Sequence, residues 1–152
     1  MLSAESASGK YPIEAVTMMN SIIAQTESDP YYRESIHTAQ TTHIPVPSDA
    51  IGVAVRGVAD LLKVCAVVAY TSSGYSALRM ARERPQAPIL GMTPRQAVAR
   101  QLALAWGVYP VLCHVVMDVL EMSDWACHTA KKEGLGQVGE TIVISAGVPF
   151  GT

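Results

Sequence analysis

The sequence predicts an α/β domain of three layers, a mostly parallel sheet with flanking helices, and three observations predict it. Strand-like apolar runs at 65–71, 88–92, 108–113 and 141–146 alternate with helix-like segments at about 74–83, 94–106 and 123–133. Gly107 and Gly134 stand where two of those helices would end in the left-handed conformation. The chain has 152 residues, 49% hydrophobic and 16% charged, enough for one substantial core. Apolar strands joined by crossover helices imply a parallel sheet with helices on its faces.

The elements follow in order. Pro12 suits the first turn of a helix, where its missing N–H is not needed. Val16, Met19 and Ile23 continue at helical spacing, with Ala15, Met18 and Ile22 widening the stripe, so the first helix covers about 12–27. A stripe that wide normally packs against something large. From 28 to 47 the composition turns polar and no period survives, which predicts a linker with one short helical turn. Ser48 reads as an N-cap, with Asp49 in the first turn of a helix running to about 63. Its expected core face is Ile51, Val55, Val58, Ala59 and Leu62. Beyond the second strand, Thr93-Pro94 reads as N-cap and first helical residue, with Val98, Leu102 and Ala105 facing the core. Val138-Gly139-Glu140 turns the chain into the last strand.

The candidate site is the loop at the end of the first strand. Thr71, Ser72, Ser73, Gly74, Tyr75 and Ser76 separate a Val-rich run from a segment of good helix formers. At such a junction the first helical N–H groups lack partners and the peptide dipoles concentrate positive charge. Thr71, Ser72, Ser73 and Ser76 can add hydroxyl donors, and Gly74 lets the backbone approach a phosphate closely. Taken alone, the residues fit an anion-binding loop and an ordinary capped turn equally well, because neither common phosphate-loop signature is present.

Other classes are disfavoured. A formal charge of −2 and the lack of a long Lys/Arg run give no attraction to nucleic acid or to an anionic membrane. No apolar run approaches the ~20 residues that span a bilayer, and no charged-then-apolar leader opens the sequence. Cys65, Cys113 and Cys127 form no C-x-x-C pair, and His37, His43, His114 and His128 are scattered, so no metal site is expected. Unpaired thiols suit a reducing compartment, and the expected location is cytoplasmic.

Four stretches together resemble one family. They are 1–16 (MLSAESASGKYPIEAV), 71–76 (TSSGYS), 82–90 (RERPQAPIL) and 106–112 (WGVYPVL), arriving in this order. The chain is similar to the C-terminal region of pyruvate kinases. The resemblance implies that 1–27 correspond to the last loop and helix of a (β/α)8 catalytic barrel, 28–47 to a linker and 48–152 to the C-terminal α/β domain. It also implies that 147–152 (GVPFGT) lead toward a final strand that this sequence lacks.

The resemblance carries further expectations. The parent enzyme would transfer the phosphoryl group of phosphoenolpyruvate to ADP with Mg2+ and K+, and this chain, holding neither ion, would be inactive alone. Ser3 would border the active site and Glu5 would shape its loop. Residues 71–76 would hold a phosphate of a sugar-phosphate or nucleotide effector, with Tyr75 where the family often has a basic or small residue. The family forms homotetramers, so a homo-oligomer is expected.

Overall fold

The computed structural model describes residues 2–38 and 46–147. The chain divides into two compact units, Met1–Thr42 and His43–Thr152. The first holds α1 (Ala4–Ala7), α2 (Pro12–Ser28) and α3 (Pro30–Thr38). Pro12 takes the first turn of α2 as its chemistry suggests, and the helix ends one residue beyond the expected limit. None of its residues is buried; Val16 and Ile23 are exposed and Met19 is half-buried. Within the expected linker, the described residues include a helix. Pro30 opens the nine-residue α3, where Asp29 Oδ1 accepts the Tyr31 N–H at 2.8 Å and caps the helix despite its polar composition.

The second unit begins with α4 (Pro47–Leu62), followed by β1 (Ala66–Tyr70), α5 (Tyr75–Glu83), β2 (Ile89–Thr93), α6 (Gln96–Leu102), β3 (Val108–Leu112), α7 (Val119–Lys132) and β4 (Ile142–Ala146). The four strands form one parallel sheet in the order β3-β2-β1-β4. Every residue of β1 and β2 is buried. Alternation along the strands divides the core in two. Val67, Ala69 and Ile89 meet Ala59 of α4, Ala77 and Met80 of α5, and Val98 and Leu102 of α6. Val68, Tyr70, Leu90 and Met92 meet Met122, Ala126 and Ala130 of α7. This is the three-layer arrangement the alternating runs predict.

Helix limits needed correction. Val46, not Ser48, is the N-cap of α4, because Pro47 occupies the first turn. The buried face of α4 consists of Asp49, Gly52 and Ala59, with Val55 packed at its margin, while Ile51, Val58 and Leu62 are 51%, 43% and 58% exposed. Small residues win that face because α5 lies close: a Cβ on Gly52 would stand 3.4 Å from Glu83 Cγ. Thr93 ends β2 instead of capping a helix, and α6 starts only after Arg95. Val98 and Leu102 do face the core, whereas Ala105 lies beyond the helix. Gly107 and Gly134 take the left-handed conformation at φ 67° and 72°.

The sheet's outer strands differ. Cys113 N–H donates to Thr93 O, so odd-numbered residues of β3 donate toward β2 and Pro110 faces outward. Val108 N–H is taken by Ala105 O at 3.3 Å.

Helix α7 starts four residues before the expected 123. Asp118 is its N-cap and accepts the Glu121 N–H at 2.8 Å, while Glu121 accepts the Met117 N–H at 2.8 Å and lies 2.6 Å from His114 Nε2. The Met117 N–H first, and His114 second, hold the Glu121 carboxyl below its ordinary value of 4.5. A depressed folded-state pKa gives stability that is present above the unfolded value and lost as pH falls through the folded one. Glu121→Gln is therefore expected to lower the urea midpoint at pH 7, with the difference from the parent chain shrinking below about pH 4.5. A difference constant down to pH 3 would contradict this.

Candidate functional site

The order β3-β2-β1-β4 places a reversal at β1. From β1 the chain moves through α5 to β2 on one side, and β4 returns to pair with β1 on the other. In open α/β sheets, ligands sit at the carboxyl ends of the strands flanking such a point. A cavity of about 190 Å3 lies there, lined by Ser48, Ile51 and Gly52 of α4, Tyr75, Ser76, Arg79 and Met80 of α5, and residues 145–147.

Residues 71–76 form the strand-to-helix turn beside it, and of these Tyr75 and Ser76 line the cavity. Thr71 is buried; its N–H donates to Met92 O at 2.9 Å, and its Oγ1 accepts the Gly74 N–H at 2.9 Å. Ser73 Oγ accepts the Tyr75 N–H at 3.4 Å. Gly74 takes φ 85° at the N-cap, a conformation costly for residues with a Cβ. Its carbonyl accepts from Leu78 N, the first bond within α5. The N–H groups of Ser76 and Ala77 precede that bond and have no partner inside the helix. Two of the loop hydroxyls thus brace the turn, while Ser72 is half-buried, Ser73 exposed and Ser76 half-buried beside the cavity.

Arg79 was not among the residues expected from sequence. It lies one turn after Tyr75 on the same helical face, with its guanidinium 4.3 Å from the Tyr75 ring centroid and hydrogen-bonded to the Tyr75 hydroxyl. The i, i+4 spacing was the available signal. Asp49, buried on α4, pairs with Arg79 and with Arg82, whose Nη2 is 2.9 Å from Asp49 Oδ2. Arg82 also reaches Glu83 Oε1 at 3.2 Å. The cavity therefore carries a cation whose charge is partly compensated by a carboxylate from the facing helix.

Ser3 lies in the Met1–Thr42 unit and is exposed. Its N–H donates to Glu5 Oε2 at 3.0 Å. The N–H groups of Glu5 and Ser3 lower the Glu5 pKa. Ser3 and the 71–76 loop thus belong to different units. Among the described residues, no group of three or more His, Cys, Asp or Glu side chains is arranged to hold a metal ion.

Residues 49–152 match the family model for the pyruvate kinase alpha/beta domain. The chain belongs to this family. It is 40% identical over 151 residues to a pyruvate kinase of Methylorubrum extorquens, covering 99% of this chain and 32% of that protein. With a Geobacillus stearothermophilus pyruvate kinase it shares 41% identity over 151 residues, covering 99% and 26%. The crystal structure of a pyruvate kinase from Cryptosporidium parvum superposes with a TM-score of 0.84 at 26% identity, covering 97% of this chain and 30% of that one. The chain thus spans about a third or less of the length of these pyruvate kinases, and the superposition agrees with the parallel four-stranded sheet and flanking helices.

Proposed function

We propose that this chain serves a pyruvate kinase, which transfers the phosphoryl group of phosphoenolpyruvate to ADP, as its regulatory and assembly portion. The observation that carries the regulatory reading is the crevice at the carboxyl ends of β1 and β4, lined by Tyr75 and Ser76 at the N-terminus of α5 and by Arg79 one turn later. In this reading Ser72, Ser73 and Ser76 supply hydroxyls to a phosphate of a sugar-phosphate or nucleotide effector. Thr71 and Gly74 shape the turn, and Tyr75 fixes Arg79. Ser3 would border the active site of the whole enzyme. The free thiols Cys65, Cys113 and Cys127 suit a cytoplasmic setting. Exposed Ile51, Val58, Leu61 and Leu62 on α4 support assembly into a homo-oligomer, with a tetramer as the family form.

Mg2+ and K+ belong to the whole enzyme in this reading. The described residues do not fit the divalent ion, since they gather no carboxylate set for it. Phosphoryl transfer relies on such ions to neutralise the transferring group. Pure chain incubated with phosphoenolpyruvate, ADP, Mg2+ and K+ is expected to form no pyruvate above a buffer blank; measurable turnover would overturn that assignment.

The effector site is tested by titrating inorganic phosphate and a sugar bisphosphate into labelled chain. The helix terminus contributes ~0.3–1 kcal/mol and each hydroxyl a net ~0.5–1.5 kcal/mol. Compensation of Arg79 by Asp49 limits the rest, so affinity for simple phosphate is expected near 1 mM, or ~4 kcal/mol. The amide resonances of Ser76 and Ala77 should move most, and that of Gly74 less, because it already donates to Thr71. If these stay still while others move, the loop is a turn only.

A further inference from the structure

A second cavity, of about 330 Å3, lies at the opposite end of the sheet, beside the start of β1 and the C-terminal half of α7. Cys65, Cys127, His128, Lys131 and Glu140 line it. Cys127 is exposed and Cys65 half-buried, with Cys65 Sγ donating to Thr141 O at 3.3 Å. A Cβ on Gly136 would stand 2.6 Å from Cys65 Sγ, so glycine there leaves this thiol its place on the cavity wall. Lys131 follows Cys127 by four residues on α7, so its ammonium and the thiol share one helical face.

We propose that Cys127 and Cys65 form a redox pair that captures a low-molecular-weight disulfide bearing carboxylates, with Lys131 drawing the anionic reagent into the cavity. The thiolate of Cys127 attacks one sulfur of R–S–S–R, a Cys127–S–S–R bond forms, and RS⁻ leaves and takes a proton from water. The thiolate of Cys65 then attacks Cys127 Sγ, forming the Cys65–Cys127 bond and expelling the second RS⁻. Two protein thiols are oxidised and one external disulfide is reduced to two thiols.

The order of attack follows from the surroundings. Burial first, then the charge of Glu140, raises the Cys65 thiol pKa, and Cys65 and Cys127 line the same cavity. Cys65 therefore suits the second step and the exposed Cys127 the first. Cys113 is buried in the core and pushed up to about 11 by burial, so it serves as an internal control.

The test incubates the chain with oxidised glutathione at pH 8, quenches by alkylation and maps the peptides by mass. Glutathione is expected on Cys127 first, decaying as a Cys65–Cys127 cross-link accumulates, with Cys113 unmodified. In Cys65→Ser the Cys127 adduct should persist. Lys131→Ala should slow capture of glutathione disulfide about threefold, the scale of an exposed ion pair, without slowing capture of neutral hydroxyethyl disulfide. An adduct that persists on Cys127 of the unaltered chain, or equal labelling of Cys113, would overturn the pair; equal slowing with both reagents would overturn the role of Lys131.

Discussion

Leu102→Ala is expected to destabilise the His43–Thr152 unit by about 3–5 kcal/mol, the range for truncating a well-packed leucine that cannot be replaced by local collapse. Leu102 is 1% exposed and fills the space left by two glycines. A Cβ on Gly91 would stand 3.2 Å from Leu102 Cδ1, and one on Gly74 would stand 3.5 Å from Leu102 Cδ2. The side chain thus seals the sheet over β2 and also backs the N-cap of α5. The urea midpoint of Leu102→Ala measures the loss, and Leu102→Met, which nearly conserves volume, is expected to cost less than about 1.5 kcal/mol. Equal behaviour of the two variants would show that the site repacks. Because Gly74 leans on Leu102, the alanine variant should also bind phosphate more weakly than the methionine variant.

Asp49→Ala is expected to cost about 3 kcal/mol, the low end for removing one partner of a buried ion pair. The Asp49 carboxylate is buried and answers two guanidinium groups, but the Arg82 side chain is 35% exposed and can turn to water. Arg79, with a side chain 14% exposed, has less freedom. Removing the carboxylate leaves the Arg79 charge less compensated beside the cavity, so phosphate affinity should rise while stability falls. Opposite movements in urea unfolding and phosphate titration are the result to look for. Loss of both would mean that Asp49 positions Arg79 more than it restrains its charge.

The sheet was legible because its strands are short, apolar and separated by helical segments, and each lies within about a residue of its expected limits. The loop at 71–76 was legible as a strand-to-helix junction, since hydroxyls and Gly74 punctuate it. What could not be read locally was set by neighbours. Apolar Ile51, Val58 and Leu62 suggested a buried stripe, yet the space against α5 admits only the small Gly52 and Ala59 together with an ion pair. Pairing of Asp49 with Arg79 spans thirty positions, and no helical period reports it. Thr93-Pro94 carries a good capping signature, but Thr93 is held in register opposite Leu112 and remains strand. Tertiary contact overrode local preference at each of these places.

The outer strands give the sheet a direction of growth. Along β3, Pro110 has no N–H to offer on the free side and the Val108 N–H is already engaged, so an incoming strand would find a broken ladder. The outer side of β4 carries no proline within Ile142–Ala146, and its residues are only half-buried. Any backbone that lengthens this sheet, from the same molecule or another, is therefore directed to β4. Copies stacking through β3 into an endless ribbon are discouraged by Pro110 and by the engaged Val108 N–H.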